Sequence, residues 1–129
     1  MRYPSSPRDE YDPHAHADAL GLRIEYQRLR TDLGLYVPTA DLIILRPRLS
    51  RSTERSVLAH EIQHHLLAHR RVSGAWSLRQ ERHANIRAAQ WLVDPIRLRD
   101  VQRWSRDPAE WCVELGVTGD IMLAYLSAA

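Results

Sequence analysis

The chain has 129 residues, 44% of them hydrophobic, and a formal net charge of +2. That length supports one domain with a modest core and leaves little room for a second. The small net charge excludes the concentrated basic surface of a dedicated nucleic-acid binder, and the single Cys112 excludes an internal disulfide or a Cys-x-x-Cys metal pair.

Residues 1–13 carry Pro4, Pro7 and Pro13 among mixed charges, which reads as a flexible tail before a single domain over 14–129. No signal-peptide run is present there, and no stretch reaches the ~20 apolar residues of a membrane span, so a cytoplasmic, reducing location is expected. His14, His16 and Asp18 are expected to open a short helix to Leu20 with the imidazoles in solvent.

Leu22 to Leu29 alternates apolar and polar side chains, the pattern of a half-buried strand. Gly34–Val37 and Asp41–Leu45 flank Pro38-Thr39-Ala40, a plausible hairpin turn, and a small antiparallel sheet follows. Pro47 ends the last strand, and Ser50 is placed to cap a helix with Glu54 in its early turns.

That helix carries the chemistry. Val57, Leu58, Ile62, Leu66 and Leu67 recur at helical spacing, and no Gly or Pro interrupts residues 51–73. Within it stands His60-Glu61-Ile62-Gln63-His64, a His-Glu-x-x-His motif. On a helix His60 and His64 lie one turn apart on the same face, so both imidazoles can reach one metal ion with the Glu61 carboxylate beside it. A catalytic zinc site needs a third protein ligand and keeps one position for water. The metzincin pattern does not supply it, because Arg70 stands six residues after His64 and Leu67 replaces the required Gly. His65 and His69 have Leu66 where their own Glu would be, and read as partly exposed or supporting groups.

Downstream, Ser77 and Gln80 form a Ser-x-x-Gln capping box, so a helix begins at Leu78 and ends at Asp94-Pro95. Its stripe of Glu81, Asn85, Ala88 and Leu92 puts a carboxylate near the N-terminal end and small residues behind it. Two antiparallel helices joined by about a dozen residues could bring Glu81 to the two imidazoles; the alternative is a solvated charge favoured in a helix's first turn by the helix dipole. In the connecting loop, Trp76 either packs over the helix pair or lines a substrate subsite.

The remaining third reads as short helices: one after Pro95 to about Ser105, one from Pro108 to Leu115 closed by Gly116, and one capped by Thr118. Arg97, Arg99, Arg103 and Arg106 beside Trp104 would suit a helical DNA-binding module. Asp100, Asp107, Glu110 and Glu114 offset them, so a solvated face is the more economical account and no direct nucleic-acid contact is expected.

Leu58-Ala59-His60-Glu61-Ile62-x-His64, followed by Glu81-x-x-Ala84-Asn85-x-x-Ala88-Ala89-x-x-Leu92-Val93-x-Pro95, resembles the ImmA/IrrE family of metallopeptidases. The resemblance implies a small α+β, zincin-like domain with a short antiparallel sheet, a two-helix metal site and a helical C-terminal part. It implies Zn²⁺ held by His60, His64 and Glu81, with Glu61 as general base and Asn85 as a supporting contact. Two positions depart from the family pattern. Gln63 stands where many relatives have Gly, and His83 stands where an acidic residue is common; His83 is a second supporting candidate. By the same resemblance residues 41–46 offer a strand edge for an extended substrate, and the partner is a protein substrate, a DNA-binding repressor of a phage or mobile element. A zinc-bound interaction protein without turnover is the alternative.

Overall fold

The computed structural model describes residues 10–71 and 75–128. In chain order the elements are α1 (Pro13–Ala19), β1 (Arg23–Tyr26), β2 (Gly34–Val37), a 3-10 turn (Pro38–Ala40), β3 (Leu42–Leu45), α2 (Arg51–Leu66), α3 (Leu78–Leu92), α4 (Pro95–Gln102), α5 (Pro108–Leu115) and α6 (Gly119–Ala128). The architecture is α+β, with a three-stranded sheet and a helical C-terminal half. None of the described helices is long and apolar enough to cross a membrane.

Local chemistry sets the helix ends. Ser50 accepts from the Thr53 N–H at 3.2 Å to start α2, and Ser77 and Gln80 cap each other's backbone at the start of α3. Asp94 and Asp107 cap α4 and α5, each followed by a Pro whose missing N–H needs no partner there. Gly116 closes α5 at φ 65, in the left-handed region that glycine enters without a Cβ clash.

Helix α2 separates two cores. Leu58 and Ile62 meet Ala17, Leu22, Tyr36, Ile43 and Leu45 beneath the sheet. Ala59, on another face, joins Ala88, Ala89 and Leu92 of α3 together with Leu98, Leu115, Ile121 and Met122 of the C-terminal helices. Small residues at the α2–α3 contact let the two backbones approach, which is what places Glu81 beside the α2 imidazoles. Each buried large aliphatic side chain contributes about 1.5–3 kcal/mol.

The sheet order is β1-β3-β2. The β2–β3 hairpin is antiparallel, pairing Gly34 with Leu45 and Val37 with Leu42, whereas β1 runs parallel to β3 with Arg23 opposite Leu42. The sheet is therefore mixed, which corrects the wholly antiparallel expectation. The hairpin occupies one edge of β3 and leaves the other for β1, reached through the long run from Tyr26 to Gly34. It also corrects the proposed substrate edge: β3 is the central strand, so residues 42–45 have both edges paired and no strand can be added there. Strand β2 sits against α2 so closely that a Cβ on Gly34 would lie 2.5 Å from Val57 Cγ1.

The N-terminal segment departs from its expected solvation. Residues 1–9 of the anticipated tail lie outside the described residues, but Tyr11 and Pro13 are buried. Tyr11 rests against Trp91, with ring centroids 5.3 Å apart, and its hydroxyl hydrogen-bonds His16 Nδ1. Of the two α1 imidazoles, His16 is buried, contrary to expectation, whereas the His14 side chain stays 41% exposed while its Nε2 reaches Glu54 Oε2 at 2.6 Å. Arg55 fastens this segment to the rest of the chain. Its guanidinium, buried in α2, donates to the Gly116 carbonyl at 2.6 Å and the Tyr11 carbonyl at 2.9 Å.

Candidate metal centre

The α2–α3 pair brings three donor atoms to one point. Glu81 Oε1 lies 2.7 Å from His64 Nε2 and 3.1 Å from His60 Nε2, and the two Nε2 atoms are 3.2 Å apart. Successive turns of α2 supply the imidazoles, and the first turn of α3 supplies the carboxylate. Glu61 stands beside them with Oε2 3.9 Å from His60 Nε2. Ligand atoms of His60, Glu61 and His64 all fall within 4.8 Å of one another, so Glu61 also belongs to a group able to hold a metal. Of the two carboxylates, Glu81 approaches both imidazoles more closely, and Glu61 is engaged elsewhere.

That engagement is the Tyr36 N–H of β2, which donates to Glu61 Oε1 at 2.8 Å. The Tyr36 carbonyl accepts from Arg71 at 2.6 Å, so both backbone groups of this residue bond to side chains at the site. Neither contact has a local sequence signature, since a backbone group of any residue can make it. Tyr36 also donates or accepts through its hydroxyl with His65 Nδ1 at 2.7 Å, which directs His65 away from the donor cluster.

Electrostatics separate the two carboxylates. Burial pushes Glu61 up to about 7, although His60 and the Tyr36 N–H pull it down. Hydrogen bonds from His60 and then His64 hold Glu81 at about 2, against its partial burial. Burial lowers His64, with Glu81 opposing. Burial also acts to lower His60, but Glu81, Glu61 and Asn85 outweigh it and its pKa is raised. One carboxylate is a fixed anion and the other is poised to exchange a proton near neutrality.

The outward-facing nitrogens have partners of their own. His60 Nδ1 lies 2.7 Å from Asn85 Oδ1, an acceptor that can hold a proton on Nδ1 and so leave the Nε2 lone pair for a metal ion. His64 Nδ1 lies 2.9 Å from His69 Nδ1. Trp76 stacks on the His64 ring at 4.1 Å and 9°, with the Arg71 guanidinium 4.7 Å from the indole centre. Trp76 thus packs over the helix pair; Val72, Ser73 and Gly74 of the same loop lie outside the described residues. The exposed His83 faces His69, with ring centroids 5.6 Å apart, rather than the donor cluster. Two imidazole lone pairs and an ionised carboxylate oxygen converging on one point form a donor set that fits zinc.

Residues 17–124 match a peptidase family model described as the IrrE N-terminal-like domain. No curated protein matches the chain. The match spans most of the sequence and includes both motif helices, so the chain belongs to the ImmA/IrrE peptidase family.

Proposed function

We propose that the chain is a zinc-dependent endopeptidase of the cytoplasm that cleaves a specific regulatory protein, a DNA-binding repressor of a phage or mobile element. The observation that carries the reaction class is the meeting of His60 Nε2, His64 Nε2 and Glu81 Oε1 next to a second carboxylate with a different proton affinity. His60, His64 and Glu81 would hold the ion. When bound, zinc polarises the scissile carbonyl and lowers the pKa of a water molecule towards ~7.

Glu61 performs the proton transfers. Its Oε1 is occupied by the Tyr36 N–H, so Oε2, on the His60 side, takes the proton of the attacking water and passes it to the leaving amine. Burial raises the proton affinity of this carboxyl group, while a bound cation beside it would favour the ionised form that accepts the water proton. Arg71 and the Tyr36 N–H steady that carboxylate from the β2 side. The substrate class rests on the resemblance of the two motifs to the ImmA/IrrE pattern, and the cytoplasmic location on the single cysteine.

The test is a comparison of protein N-termini in native cells expressing the wild type or Glu61→Gln. The proposal expects a new N-terminus within one or a few DNA-binding regulators, present only with the wild type. Identical profiles from zinc-loaded proteins would favour an interaction protein without turnover.

A further inference from the structure

The His64 ring is held on three sides by parts of the chain that lie outside the His-Glu-x-x-His motif. Its side chain is wholly buried and its Nε2 faces Glu81 and His60. Trp76 lies flat against it, which restricts the ring plane. Its Nδ1 is 2.9 Å from His69 Nδ1, and one of those two nitrogens must carry the proton of that hydrogen bond.

His69 arrives there by a specific backbone route. Leu67 caps the C-terminus of α2, and Ala68 then adopts φ 53 in the left-handed region. The Ala68 N–H donates to the His65 carbonyl and the His69 N–H to the His64 carbonyl, at 3.1 and 3.0 Å. These two bonds make a Schellman turn, which folds residue 69 back over the last helical turn. Ala occupies the position that Gly normally takes, so the turn is formed in spite of its Cβ.

A neutral imidazole has one proton. For His64 Nε2 to offer its lone pair, that proton must sit on Nδ1, where a buried N–H needs an acceptor. We propose that His69 is a positioning residue for the metal centre: its Nδ1 accepts the His64 Nδ1–H and thereby fixes the tautomer and orientation in which His64 Nε2 coordinates. The inference rests on the zinc reading above and extends it beyond the two motif helices. Asn85 does the same for His60 from α3, so each imidazole has its own acceptor.

The experiment is zinc affinity of the full chain, measured by competition with a chromophoric chelator, for wild type, His69→Leu and His69→Asn. Asn places Oδ1 close to where His places Nδ1, so it restores an acceptor without an imidazole, whereas Leu fills the space without one. The expected result is a loss of about 10- to 100-fold in affinity for His69→Leu, largely recovered in His69→Asn, with both variants as helical as wild type by circular dichroism. A folded His69→Leu that binds zinc as tightly as wild type overturns the inference and leaves the zinc site standing. Equal losses in Leu and Asn also overturn it, since the acceptor would then not be what matters. A wild type that binds no zinc overturns the zinc reading itself and this inference with it.

Discussion

At the scale of single residues, burial decides the behaviour of the polar side chains. His16 is lowered in pKa by desolvation from its ordinary 6.5. Its folded pKa lies below its unfolded one, so its contribution to stability is complete above about 6.5 and is lost as the pH falls below that value. Urea unfolding at pH 7.5 and pH 5 should show a larger loss for wild type than for His16→Gln; equal losses would mean His16 is not the group responsible. Gln63 is the opposite case, an amide fully buried in α2 whose Nε2 and Oε1 have no hydrogen-bond partner among the described residues. An unsatisfied buried amide costs about 1–3 kcal/mol. Gln63→Met, which keeps the length and removes the polar atoms, should therefore raise the urea midpoint, and a lowered midpoint would contradict this account.

At the scale of elements, what is legible in the sequence is what is local. The ends of α2 and α3 are written in Ser50, Ser77 and Gln80, each acting within one turn, and the His60–His64 spacing states a shared helix face. The parallel pairing of β1 with β3 is not legible, because alternation in Arg23–Tyr26 says that a strand exists and nothing about its neighbour. The turn at Ala68 is equally silent: no Gly or Asn marks the left-handed residue that carries His69 to His64. That turn makes a prediction. An L-residue in the left-handed region costs roughly 1–2 kcal/mol, while Gly pays up to about 1 kcal/mol in added unfolded-state freedom. Ala68→Gly should leave zinc affinity unchanged and shift stability upward by no more than about 2 kcal/mol. Reduced zinc affinity in a folded Ala68→Gly would show that Ala is needed to hold His69.

At the scale of the whole molecule, α2 is the member to which everything else is attached. It packs the sheet on one side and α3 with the C-terminal helices on another, and Arg55 ties its first half to residues 11 and 116. Arg55 reads in the sequence as one more surface arginine in an Arg-rich chain; only the return of distant carbonyls to α2 reveals it as a buried clasp. Its hydrogen bonds are charge-assisted, and losing such bonds costs about 1.5–3 kcal/mol each before relaxation. Arg55→Ala should lower stability by about 3 kcal/mol in urea unfolding, and a change below about 0.5 kcal/mol, typical of surface positions, would contradict the clasp. The central claim is that this packing assembles a zinc site from His60, His64 and Glu81. The direct measurement is the zinc-to-protein ratio of the purified chain beside Glu81→Ala and His60→Ala. About one zinc per wild-type chain, reduced in both variants while they remain folded, is the predicted result. A folded wild type that takes up no zinc when supplied with it, or variants that retain it fully, would contradict the account.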